Sequence, residues 1–170
     1  FDAVVVNGIG GSALGPQLMQ FAINGPYWNE KSDAKRNGYL KIYFLDNTDS
    51  AEFADLVEVM DPEVTLHLVI SKSGGTQETK NNMIAMEALY AAKKLSSPKH
   101  AAAITMKDSE LDRHARGNNW LAVFEMAESI GGRTSETSIV GHVPAALTGV
   151  KFGRFLEGAC RMDEWTRTAD

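Results

Sequence analysis

TLHLVISKSGGTQET (residues 65–79) runs from six residues of near-continuous apolar character into four hydroxyls, a lysine and two adjacent glycines. Thr65–Ile70 is too short to cross a membrane and reads as a buried strand. Hydroxyls and glycines by themselves suit a plain turn. The sequence that follows argues for more. Gln77–Leu95 carries Met83, Met86 and Tyr90 at helical spacing, with Glu78 near its start and Lys93 and Lys94 near its end. That charge order complements a helix dipole and predicts a helix beginning near Gly75. The stretch is therefore strand, tight loop and helix N-terminus. The first amides of a helix lack internal partners and carry partial positive charge. Ser71, Ser73 and Thr76 can add hydroxyl donors and Lys72 a full charge. Gly74 and Gly75 let backbone approach an anion with no Cβ in the way. Together they make a cradle for a phosphate-sized group.

Four further apolar runs read as strands: Ala3–Val6, Leu40–Leu45, Ala101–Thr105 and Leu121–Phe124. They do not alternate with polar residues, as expected of parallel strands covered on both faces. Helical patterns fall between them at Leu14–Ile23, Ala51–Glu58 and Asp108–Arg116, and Pro144–Leu156 and Glu157–Thr166 close the chain. Strand–helix alternation predicts an α/β fold, a three-layer sandwich around a doubly wound, mainly five-stranded parallel sheet. Residues 24–38, NGPYWNEKSDAKRNG, are polar and read as a surface excursion.

The 170 residues fit one domain. About 44% of them are apolar and 23% charged, a soluble globular composition. The net charge of −5 gives no support to a nucleic-acid partner. Cys160 is the single cysteine, which excludes an internal disulfide and fits a reducing compartment. It reads as a small helix-face hydrophobe. No membrane-spanning run or signal peptide is seen, and a cytoplasmic location is expected. The chain opens inside its first strand, which reads as residues 1–170 being one domain cut from a longer protein.

Ligands of open α/β sheets gather beyond the carboxyl ends of the strands. Three Gly- or Ser-rich loops are expected there: NGIGGSALGP (7–16), SKSGGTQET (71–79) and SIGGRTSETS (129–138). In the first, Gly8, Gly10 and Ala13 overlap a dinucleotide fingerprint, and Asp46 ends the second strand. Asp46 lies well beyond the usual ~20-residue offset, and a dinucleotide would leave the other loops idle. Ser12, before a helix with Leu14, Leu18 and Phe21 on one face, suits a hydroxyl donor, and Asp46 a turn or capping acid. In the third loop Arg133 follows two glycines. It is either a surface arginine in a turn or a fixed cation for charge developing on a reacting oxygen.

In their order and spacing, GIGGSALGP, SKSGGTQET and GGRTSETSIVG resemble the glucose-6-phosphate isomerase (phosphoglucose isomerase) family. FLEGACRMD (155–163) is similar to that family's L-x-G-A-x-x-M-D segment. The resemblance covers Val4 to about Asp163. It implies the first sugar-isomerase (SIS) domain of a two-domain enzyme that interconverts glucose 6-phosphate and fructose 6-phosphate through an enediolate, without cofactor or metal. It further implies a full-length homodimer. Gly11 and Ser12 would lie against substrate. Ser71, Lys72, Ser73, Gly74, Gly75 and Thr76 would form the phosphate loop, the three hydroxyls making the main contacts. Arg133 would stabilise the enediolate, and Glu78 would be structural. Two departures stand out: Thr134 where many members carry an aromatic, and SGGT in place of TFTT.

Moving a proton between adjacent carbons needs a general base as well as a phosphate grip. The resemblance places the base glutamate, a ring-opening histidine and a lysine in segments beyond Asp170, the histidine coming from a partner subunit. The isolated chain is therefore expected to be inactive. Among local histidines, His67 reads as a packed or edge histidine within a strand, His100 as a solvated turn residue and His114 as a helix-end cation. His142 and Glu136 are outside candidates for acid–base work. A rival reading is a SIS sensor domain that binds a sugar phosphate without transforming it, in a transcription regulator; a dual phosphoglucose/phosphomannose isomerase is a nearer variant.

Overall fold

The computed structural model describes residues 1–131 and 133–167. Its strands are β1 (Ala3–Asn7), β2 (Lys41–Leu45), β3 (Thr65–Ile70), β4 (Ala101–Thr105) and β5 (Ala122–Glu125). All pair in parallel in the order β2-β1-β3-β4-β5. β1, β3 and β4 are buried along their whole length, and this is why their sequences do not alternate. The predicted strands thus stand, within a residue or so at either end.

The helices are α1 (Gly11–Met19), α2 (Asp33–Arg36), α3 (Ser50–Val59), α4 (Gln77–Ala92), α5 (Glu110–Gly117), α6 (Ile139–Leu147) and α7 (Phe152–Thr166). On one face of the sheet, Val4, Val6, Leu68 and Ile104 pack with Trp28 and with Val140 of α6, while Met19 of α1 packs on Ala145. On the other face, Val5 and Leu45 meet Leu56 of α3 and Met86 and Tyr90 of α4, and Val69 and Ala103 meet Leu111 of α5. The result is the three-layer sandwich expected. The chain leaves β1 through α1 on one face and reaches β3 through α3 on the other, so strand order reverses between β1 and β3 and opens a crevice there.

Four expectations need correction. Residues 24–38 are no mere surface excursion. Trp28 is buried, with its indole N–H on the Leu40 carbonyl at 2.9 Å. The Asn29 amide exchanges two hydrogen bonds with the backbone of Ile42, at 2.7 and 2.9 Å, which pairs an edge strand that would otherwise show open groups. Arg36, also buried, donates to the carbonyls of Tyr39 and Lys31. The segment seals the β2 edge.

The last two helices are also divided differently. α6 starts at Ile139, where the Ser138 hydroxyl accepts from the Val140 amide. It ends before Gly149, whose φ of 76° is left-handed backbone that favours glycine. α7 then runs unbroken through the predicted boundary at Leu156–Glu157 and buries none of its residues. Leu14 and Leu18 of α1, with Phe21 in the π-helical turn Gln20–Asn24 that follows, do share a side, but each is about half exposed; the inward side of α1 is Ala13, Pro16 and Met19. Finally, His100 is not a solvated turn residue: it is half-buried and stacked on Tyr90 with ring centroids 5.0 Å apart.

Candidate functional site

β3 delivers the loop Ser71–Thr76 at its carboxyl end, and α4 carries it away. Ser71 is buried, and its hydroxyl oxygen accepts the Gly74 amide at 3.1 Å; that of Ser73 accepts the Gly75 amide at 3.2 Å. An alcohol whose oxygen is taken by a backbone N–H still has its own proton to give. The loop thereby orients its serines as donors, and the Ser71 hydroxyl lies 3.4 Å from that of Thr76. Thr76 is the N-cap of α4 but makes no side-chain cap. By contrast Asp49, Ser109 and Ser138 cap α3, α5 and α6. α1, behind Gly10, also has no side-chain cap. The first turn of α4 therefore keeps its amides open to a ligand, whereas in α1 the Ser12 and Ala13 amides already bond the Ile9 and Gly10 carbonyls at 3.2 and 3.0 Å.

These elements enclose a crevice of about 440 Å³ lined by Ile9, Gly11, Ser12, Ile70, Ser71, Lys72, Ser73, Thr76, Thr79 and Met106. Gly11, Ser12, Ser71, Lys72, Ser73 and Thr76 were all expected here. Ile9, Ile70 and Met106 were missed because an apolar side chain carries no mark of a ligand wall; Thr79, the fourth hydroxyl of the 71–79 stretch, was not among the expected residues either. Gly74 and Gly75 shape the loop from behind; Gly74, at φ 74°, faces the start of α5.

The third loop is tied to the other two. Lys72 lines the crevice, and its ammonium donates to the carbonyls of Glu128 and Ile130 at 2.6 and 3.0 Å. The Ser135 hydroxyl donates to the Gly11 carbonyl at 2.8 Å. All three loops thus meet at the carboxyl edge of the sheet. Arg133 is exposed and lines a smaller cavity of about 190 Å³ with Gly11, Gly15 and Glu136, so Gly11 is the wall the two cavities share. Gly132, the second glycine before Arg133, lies outside the described residues.

Other candidates fall away from the crevice. Asp46 accepts from the Gln17 amide at 2.6 Å, a tie between β2 and α1. Glu78 is exposed in the first turn of α4. His142 stacks on Phe152 with centroids 4.7 Å apart, at the α6–α7 junction, and burial lowers its pKa. His114 pairs with Glu87 at 3.1 Å. Cys160 is exposed on α7.

His67 is fully buried in β3, directly below the crevice, and burial drives its pKa from 6.5 down to about 3. A ring held neutral in the fold binds fewer protons than the unfolded chain between those values. Its stabilising contribution is complete above about pH 6.5 and is lost as pH falls toward 3, with a slope of at most about 1.4 kcal/mol per pH unit. Going from pH 6.5 to pH 5, urea unfolding should therefore show a loss about 1.7 kcal/mol greater in the parent than in a His67→Gln chain, which keeps the smaller contribution of His142.

The family model for phosphoglucose isomerase matches residues 1–170. A glucose-6-phosphate isomerase of Geobacter sulfurreducens is 44% identical over 170 residues, covering 98% of this chain and 30% of that protein. A chloroplastic glucose-6-phosphate isomerase of Arabidopsis thaliana is also 44% identical, over 99% of this chain and 26% of that one. The crystal structure of a glucose-6-phosphate isomerase from Chlamydia trachomatis superposes with a TM-score of 0.81 at 38% identity, over 96% of this chain and 30% of the other. The chain thus spans about 30% of the length of such relatives.

Proposed function

The chain belongs to the phosphoglucose isomerase family, and from that membership we propose that it is the sugar-phosphate-gripping SIS domain of a glucose-6-phosphate isomerase. One observation carries the reading: two helices with no side-chain cap, α1 and α4, open onto one hydroxyl-lined crevice where strand order reverses. The phosphate of glucose 6-phosphate or fructose 6-phosphate sits over the first turn of α4. It takes amides there and the hydroxyls of Ser71, Ser73 and Thr76, with Lys72 adding charge at the wall. The sugar extends toward Gly11 and Ser12, and Arg133, across Gly11, is the cation for the enediolate oxygen.

Gripping the remote phosphate fixes the reacting carbons, which lowers the cost of reaching the transition state. Proton transfer between those carbons also needs a base. In this reading the glutamate, histidine and lysine that complete the chemistry belong to a longer homodimeric protein, of which residues 1–170 are one domain. No helix among the described residues is long and apolar enough to cross a membrane. The proposed setting is the cytoplasm, with no nucleic-acid partner. The sensor alternative is not favoured, because every relative compared above by name is an isomerase.

Calorimetric titration of residues 1–170 with glucose 6-phosphate, beside a coupled isomerase assay, tests this. Binding without turnover is expected. Robust turnover would contradict the assignment of the base to other segments, and binding of neither sugar phosphate nor sulfate would contradict the crevice as the grip.

A further inference from the structure

Asn7, His67 and Thr79 are three buried polar residues, Thr79 in the crevice wall and the other two joined to it through the Asn7 amide. Asn7 ends β1 and His67 is central in β3. Their register partners are Val69 and Val5, so the two lie on one sheet face as diagonal neighbours, facing α4. The Asn7 side-chain nitrogen is 2.9 Å from the Thr79 carbonyl, in the first turn of α4, and 3.3 Å from His67 Nε2.

The two contacts of the Asn7 nitrogen set the donor pattern, and they leave Asn7 Oδ1, His67 Nδ1 and the Thr79 hydroxyl without partners among the described residues. A carbonyl only accepts, so Asn7 must turn its NH₂ toward Thr79. The second N–H of the same nitrogen then faces His67 Nε2, which must be bare, and the ring proton sits on Nδ1. Burial that keeps the ring neutral agrees with this arrangement. Asn7 is thus a bracket. One end is the strand that leads into the Gly8–Ser12 loop, and the other is the helix turn whose amides form the anion cradle.

We propose that Asn7 is a positioning residue for anion capture: oriented by His67, it holds the first turn of α4 against the end of β1 and so fixes the spacing of the crevice's two walls. The proposal rests on the sugar-phosphate reading above, and its test separates the two. Asn7→Leu removes the donor on the same branched side-chain skeleton; Asn7→Asp keeps the shape but offers only acceptors when ionised. Val4→Ala, a core truncation on the opposite sheet face, controls for general loss of stability.

Sulfate titrated into residues 1–170 should bind about tenfold more weakly in both Asn7 variants and within about twofold of the parent in Val4→Ala. Without ligand, exchange of the Lys80 amide, which bonds the Thr76 carbonyl at 3.0 Å and closes the first turn of α4, should quicken about tenfold in Asn7→Leu beyond any change in Val4→Ala. Nitrogen NMR at pH 7 should find the His67 proton on Nδ1 alone. Unchanged sulfate affinity in Asn7→Leu, unchanged Lys80 exchange, or a proton on His67 Nε2 would each overturn the role of Asn7. If the parent bound neither sulfate nor glucose 6-phosphate, the crevice reading would fail, and Lys80 exchange would still decide whether Asn7 positions α4.

Discussion

Gly74→Ala lowers the thermal midpoint of the chain by about 6–12 °C, while Gly75→Ala leaves it within a degree or two. The two glycines are adjacent in one motif, yet their surroundings differ. Gly74 holds φ 74°, left-handed backbone that costs an alanine about 1–2 kcal/mol. A Cβ there would also collide with the backbone nitrogen of Leu111 and come within 2.9 Å of its side chain. Backbone at the start of α5 cannot yield as a flexible side chain can, and overpacking of this kind costs a further 1–3 kcal/mol, roughly. The sum is about 3 kcal/mol. Around Gly75 the nearest atoms to an added Cβ are 3.9 Å away, the ends of the Glu110 and Ser73 side chains. Differential scanning calorimetry of both variants checks the contrast. Equal midpoints would mean that the loop does not wedge against α5.

Removing the three alcohols, Ser71→Ala with Ser73→Ala and Thr76→Ala, weakens glucose 6-phosphate binding at least about a hundredfold. A hydrogen bond to a charged group is worth about 1.5–3 kcal/mol, and the three converge on one anion. The singles separate grip from support. Ser73 and Thr76 are exposed and half-buried respectively, so losing either should reduce affinity with little change in melting. Ser71 is buried and accepts the Gly74 amide, so its loss also strands a buried donor and lowers stability. Calorimetric titration paired with thermal melts reads both effects. A triple variant that binds as the parent does would place the phosphate on some other surface.

Much of this was legible because parallel strands and helix starts leave strong local marks. Thr65–Ile70 is buried at every position and appears in the sequence as one unbroken run. The switch to helical spacing at Met83, Met86 and Tyr90 likewise matched burial. What stayed hidden depends on partners distant in sequence. Trp28, Asn29 and Arg36 sit in a polar stretch, and only β2, brought alongside by folding, shows that they seal an edge. The apolar residues of α1 mark a helix side but not which way it faces. Lys72 looked like a free cation beside the phosphate, whereas its ammonium also ties the second loop to the third, 56 and 58 residues on.

The α6–α7 boundary is a different sort of miss. Gly149 was a visible stop signal inside a run whose periodicity invited continuation, and Pro144 looked like a start although it lies within α6. Asn7 and His67 were visible as polar residues within apolar strands. Their pairing across β1 and β3 needed the register, which no single strand contains.

The most direct measurement is a crystal of the chain soaked with glucose 6-phosphate. Phosphate density should lie over the first turn of α4, within hydrogen-bond reach of its amides and of the Ser71, Ser73 and Thr76 hydroxyls, with the sugar directed toward Ser12. Density for the phosphate at any other place on the molecule, with the crevice between β1 and β3 unfilled, would contradict the account.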